Sequence, residues 1–171
     1  MKTLIIGLGN PILGDDGIGL RVADALRRRL PSPIGRGAGG EGDEIEVDTL
    51  AVGGLRLMER LAGYDRAILV DAICTGEHAP GTLLHLGPDD APTQHTASSH
   101  DVNLPTALKL ARALAIKMPE DIRIIAVEAE NVLEFNDHCC PAVEAALPEA
   151  VEAVLIELTL SLVGKGERRR E

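Results

Sequence analysis

The segment RAILVDAI, residues 66–73, constrains the fold more than any other part of the chain. Apart from the arginine at its start and Asp71 near its end it is apolar throughout, so it reads as a strand that must be covered on both faces. A strand of that kind belongs at the centre of a parallel sheet lying between helical layers. The remaining apolar runs are compatible with this arrangement. Residues 2–6 form a short strand that stops at Gly7, Gly9 and Asn10. Residues 44–50 alternate charged and apolar side chains in the manner of a half-exposed strand, and residues 122–127 form a final buried strand. Residues 81–86 follow the central strand too closely to leave room for a crossover helix, which predicts an antiparallel or edge strand.

Between the strands the apolar spacing becomes helical. Ile18, Val22, Ala25, Leu26 and Leu30 predict one helix, Gly54 to Leu61 a second, and Leu104, Leu108, Ala111 and Leu114 a third, with Asp101, Asn103 and Pro105 as start signals. Pro141 opens a long helix carrying the stripe Val143, Leu147, Val151, Val154, Leu155 and Leu158, which Pro148 is expected to kink or restart. The expected fold is therefore α/β, a three-layer α/β/α sandwich on a mainly parallel, twisted sheet with right-handed crossovers and function at the C-terminal strand ends. With 171 residues the chain has room for one domain. Residues 31–42 (PSPIGRGAGGEG) have little to bury and read as a flexible surface loop.

Composition narrows the function classes. One Tyr, one Phe and no Trp leave the core to Leu, Ile, Val and Ala. The formal charge of −10 repels phosphate backbones, and the cationic run Arg168 to Arg170 lies at the extreme C-terminus, so nucleic acid is not expected as a partner. Three cysteines, Cys74, Cys139 and Cys140, without CxxC spacing, fit neither a disulfide framework nor a zinc ribbon and point to a reducing, cytoplasmic setting. The opening MKTLIIGLGN is too short in its apolar part for a signal peptide or a membrane span.

The densest chemical signal is GLGNPILGDDGIG, residues 7–19. Glycines and Asn10 allow a sharp turn after the first strand, and adjacent carboxylates, Asp15 and Asp16, project from it. A nucleotide loop is disfavoured because the third glycine of GxGxxG and the GK[ST] of a P-loop are missing, and because the two carboxylates would repel phosphates. One of the pair is expected to cap the following helix, leaving the other at the crevice as a metal ligand or base. His100, in SSHD before the third helix, has the strongest local context of the five histidines, although a loop histidine is often merely solvated. Asp48, ending the second strand, is on its own an ordinary turn residue. Were Asp16, Asp48 and His100 to converge, two carboxylates and one imidazole with open positions would suit nickel or zinc. No GxSxG elbow or HExxH is present, Cys74 has no evident histidine partner, and Cys139 and Cys140 are as readily explained by packing as by catalysis.

GLGNPILGDDGIGLRVADAL resembles the opening of hydrogenase maturation proteases, a GxGNxxxxD[DE]GxG pattern followed by an amphipathic helix. The similarity continues in order through RAILVDAICTG, SSHDVNLPTALKLARAL and CPAVEAALPEAVEAVL. It implies an endopeptidase that removes the C-terminal extension of a nickel-iron hydrogenase large-subunit precursor once nickel is inserted. The metal would arrive with the substrate, no resident cofactor is expected, and neither a membrane nor a nucleic acid would be involved; a monomer is expected. Asp16 takes the place of the family's acidic residue in the first loop, and His100 that of its histidine, both in catalysis and in reading the metal. Asp48 is the candidate for the middle acidic ligand, although TLAVGGL follows it where the family usually has GGTxG. Asp71 matches an aspartate at the end of the family's central strand and is assigned a supporting role. Peptidyl-tRNA hydrolase shares the GLGNP opening but continues with TRHNxG, where this chain has ILGDDGIG. A non-catalytic nickel-checking protein is the third class considered.

Overall fold

A computed structural model describes residues 1–30, 44–51, 54–90 and 104–167, with side chains described as far as residue 160. The order of elements is β1 (Lys2–Leu8), a single 3-10 turn (Gly14–Gly17), α1 (Ile18–Arg29), β2 (Glu44–Leu50), α2 (Gly54–Leu61), β3 (Arg66–Ile73), β4 (Leu83–Leu86), α3 (Leu104–Ala113), β5 (Asp121–Glu128) and α4 (Pro141–Glu167). The expected loop at 31–42, and His100, lie outside the described residues.

The strands form one sheet in the order β2-β1-β3-β5-β4. All neighbours are parallel except β4, which pairs antiparallel with β5 at the edge, as expected of a strand with no crossover helix before it. β1, β3 and most of β5 are buried, whereas the edge strands β2 and β4 are mainly half-exposed. Alternation along the central strands divides the core into two layers. Ile5, Ile68, Val70 and Ile125 pack under α1 and α4. Leu4, Ile6, Leu69 and Ile124 pack on the opposite side with α2, and with Leu104 and Leu108 of α3. Helices thus cover both faces of a mostly parallel sheet.

Pro148 does not restart α4, which runs unbroken from Pro141 to Glu167. Val143 and Ala146 before the proline, and Ala150, Val151 and Val154 after it, belong to one buried cluster. Burial on both sides outweighs one missing backbone bond, which costs about 3 kcal/mol. No helix among the described residues is long and apolar enough to cross a membrane.

Two contacts fix the first loop to the sheet. A Cβ on Gly7 would lie 2.1 Å from the Gly19 carbonyl oxygen, and one on Gly19 would lie 2.2 Å from that of Leu8 and 2.4 Å from that of Val70. The backbones of β1, β3 and α1 therefore meet without intervening side chains. Gly9 adopts φ 133°, and its backbone lies so close to the Asp16 carbonyl that no Cβ fits.

Candidate active site

The 3-10 turn carrying Asp15 and Asp16 lies past the C-terminal end of β1 and packs against β3. Neither carboxylate caps the following helix. Gly17 is the N-cap of α1 and no side chain bonds there, because the extra turn puts the two acids one and two residues before the cap. Asp15 is 1 % exposed and reaches across to the β5–α4 connection. Its Oδ2 accepts the N–H groups of Glu130 (2.9 Å) and Asn131 (3.1 Å), and its Oδ1 accepts that of Cys140 (2.6 Å). This carboxylate is a structural tie. Asp16 remains half-buried and accepts the Asn10 N–H at 2.6 Å. Burial holds its carboxyl above the usual range, against the pull of that N–H.

Asp71 is the neighbour that matters to Asp16. It follows Val70, the partner of Gly7 in the β1–β3 ladder, and so stands at the crevice where β1 gives way to the first loop. Its Oδ1 accepts the Ala72 N–H at 2.9 Å. Burial first, then the charge on Asp16, push Asp71 up to about 7, despite the Ala72 N–H. Two carboxylates thus stand near enough for the charge of one to act on the other, an arrangement suited to holding one proton or one cation.

Asp48 stands apart from them. Its ladder partner is Ile6, which is level with Leu69, so Asp48 sits two residues below the level of Asp71 with β1 between them. Strand spacing and rise separate the two backbones by about 12 Å. Arg60 of α2 donates from Nε to Asp48 Oδ2, Arg27 of α1 approaches Oδ1 at 3.6 Å, and the Thr49 N–H donates at 2.8 Å. Burial alone would raise Asp48, but the Arg60 hydrogen bond, the Thr49 N–H and the two arginine charges outweigh it and hold the group below its usual range. Among the described residues no three His, Cys, Asp or Glu side chains are grouped to hold a metal.

A second buried acid, Glu128, stands at the C-terminal end of β5 and is 1 % exposed. It accepts the N–H groups of Thr75 and Gly76, both at 2.8 Å, and the Thr75 hydroxyl at 2.7 Å, holding the start of the β3–β4 connection. Sequence reasoning named Asp15 as a possible cap but not as the partner of these distant N–H groups, and it missed Glu128, for which a carboxylate at the end of a buried strand was the available signal. The thiols are poor nucleophiles. Burial raises Cys74, helped by the charges of Glu128, Asp15 and Asp16, and raises Cys140, while Cys139 is pushed up to about 11, chiefly by burial.

The hydrogenase maturation protease family model matches residues 45–157. The chain belongs to that family. The Hydrogenase 2 maturation protease of Escherichia coli (strain K12) is 31 % identical over 160 residues, covering 92 % of this chain and 91 % of that protein. The hydrogenase expression/formation protein HoxM of Azotobacter vinelandii is 29 % identical over 90 % of this chain and 70 % of its own length. Among solved structures, the hydrogenase maturating endopeptidase HybD from E. coli superposes with a TM-score of 0.73 at 30 % identity, over 94 % of each chain. As a maturation protease the protein is a hydrolase acting on peptide bonds.

The raised Asp71 carboxyl gives this maturation protease a testable pH signature. Its pKa in the folded state lies above the unfolded value of about 3.9. The stability this contributes is therefore complete below about pH 4, falls as pH rises through about 7, and levels off above that. Asp71→Asn removes the titration and keeps an oxygen for the Ala72 N–H. Allowing for solvent reaching part of the carboxyl, the variant is expected to be about 1–2 kcal/mol more stable than the parent at pH 8.5. At pH 4 the two should melt together. Thermal melts across pH 4–9 check this, and a variant less stable at pH 8.5 would contradict it.

Proposed function

We propose that this protein removes the C-terminal extension of a nickel-iron hydrogenase large-subunit precursor after recognising nickel already inserted there. The observation that carries the proposal is the Asp16–Asp71 pair, two carboxylates brought to the C-terminal ends of β1 and β3, where Asp16's charge helps to raise Asp71. Such a pair is electrostatically unfavourable when both groups are ionised and alone, and gains when a cation enters between them. A precursor that delivers nickel supplies that cation; one without nickel does not. Selection of the loaded substrate then follows from the charge state of the crevice.

In this proposal Asp16 and Asp71 are the acidic contacts to the substrate's nickel, and His100, four positions before Leu104 in the sequence, supplies the third. Asp48, held by Arg60 and Arg27, ties β2 to α2 and α1 instead of contacting metal. Asp16 also suits the role of base toward the attacking water, because a carboxylate raised by burial takes a proton more readily than an ordinary one.

The test uses purified protein and a cognate precursor with and without verified nickel, following loss of the tail by mass spectrometry, with His100→Ala in parallel. Cleavage only of the loaded precursor, lost in the His100 variant, is the expected result. Equal cleavage of both precursors would remove nickel reading while leaving the peptidase, and binding without cleavage would make the protein a non-catalytic checker of the nickel site.

A further inference from the structure

The only phenylalanine of the chain is 83 % exposed, and it is accompanied by Leu133 at 68 % and Ile12 at 52 %. Burying such side chains is ordinarily worth about 1.5–3 kcal/mol each, so three left in water on adjoining loops call for a reason. These loops are held firmly. The Asn136 N–H donates to the Ile12 carbonyl at 3.0 Å and the Gly14 N–H to that of Asn136 at 2.7 Å, around a parallel bridge between Leu13 and Asn136. Asn131 Oδ1 accepts the N–H groups of Leu133 (3.0 Å) and Glu134 (3.1 Å), Asn10 Oδ1 accepts that of Ile12 (3.2 Å), and Asp15 anchors the base of the second loop. A crest pre-organised in this way loses little conformational freedom when a partner covers it.

Two observations say what covers it. First, the crest is continuous with the catalytic crevice: Asn10, which positions Ile12, also donates its N–H to Asp16, and the Asp15 N–H bonds the Asn131 carbonyl. Pro11, beside Ile12, and Asp137, two residues past Phe135, line a groove of about 470 Å³ that passes Gly17 and follows α1 to Thr49. Second, Glu130, Glu134 and Asp137 are exposed around the crest, on a chain of net charge −10. We infer that Ile12, Leu133 and Phe135 form the docking surface for the protein substrate, and that they take an apolar segment flanked by cationic residues next to the bond that is cut. The inference deepens the proposed function and rests on it for the identity of the substrate.

The experiment compares wild type with Ile12→Ser/Phe135→Ser, whose side chains are exposed enough to leave the fold intact, as a thermal melt verifies. The nickel-loaded precursor is the probe, with its affinity measured by biolayer interferometry and its cleavage by mass spectrometry. Kd and KM are expected to rise at least about tenfold with kcat little changed, as for the loss of a central apolar anchor. Unchanged Kd and KM in a cleaving system overturn the inference and leave the protease proposal standing. If wild type binds without cleaving and the variant loses binding, docking stands and the cleavage proposal falls. A wild-type dimer in light scattering that becomes monomeric in the variant, with precursor affinity intact, gives the crest to self-association and overturns the inference, as does a wild type that does not bind the precursor.

Discussion

Asp16→Asn is expected to lower kcat/KM for the nickel-loaded precursor by at least about a thousandfold, the scale on which proton transfer and preorganised charge contribute to catalysis. The substitution is isosteric and keeps an oxygen for the Asn10 N–H that now donates at 2.6 Å, so the first loop should hold its shape. What disappears is the charge, and with it both the base and half of the cation-attracting pair. Losing that charge also relieves Asp71, whose elevation Asp16 partly causes, so the pH at which Asp71 releases its proton should fall in the variant. Single-turnover cleavage provides the rate and a pH series of melts the second effect. A variant retaining a tenth of the parental rate would remove Asp16 from the chemistry.

The neighbouring residue should behave in the opposite way, with a large effect on stability. Asp15→Ala strips the acceptor from three backbone N–H groups, those of Glu130, Asn131 and Cys140, in a place where the carboxylate is 1 % exposed. Each orphaned buried donor costs about 1–3 kcal/mol, and partial relaxation of the loop recovers some of it, so a loss of about 3–5 kcal/mol is expected. Urea unfolding measures this directly. Asp15→Asn, which keeps one acceptor oxygen, should fall between the two. A loss under 1 kcal/mol for the alanine variant would mean that water or a rearranged loop replaces the carboxylate. On the proposed function, two adjacent aspartates would thus divide the labour, one serving the reaction and the other the frame.

Sequence periodicity made most of the fold legible, because burial on one or both faces leaves a mark at every second or every third to fourth position. The bounds of β2, α2 and β3 coincide with those expected, Glu44–Leu50, Gly54–Leu61 and Arg66–Ile73. β4 starts two residues later than expected, at Leu83, since Gly81 and Thr82 are taken up in a turn in which the Thr82 N–H bonds the Ala79 carbonyl. The site was legible only in part. That Asp15 and Asp16 have different surroundings was legible in the local sequence, although neither caps α1 as expected; that Asp15 bonds residues 115 and more positions away was not, because nothing local encodes such a partner. Asp48 and Asp71 look alike in sequence, each a carboxylate near the end of a strand. Their fates differ through register, which places Asp48 level with Ile6 inside the ladder and Asp71 just past it. Registry across three strands is a property of the assembled sheet, and periodicity within one strand carries no record of it.

The contact between Gly7 and Gly19, in which carbonyl oxygens stand where any Cβ would be, has an evolutionary consequence. The distance from α1 to the sheet is set by main chain against main chain, so it does not depend on which side chains the helix presents to solvent. The exposed positions of α1, among them Asp24 and Arg28, can drift with the demands of a new partner protein while Asp16 stays in place. Diversification of specificity in such a protein is therefore separable from its chemistry, at the cost of two positions where only glycine is accepted.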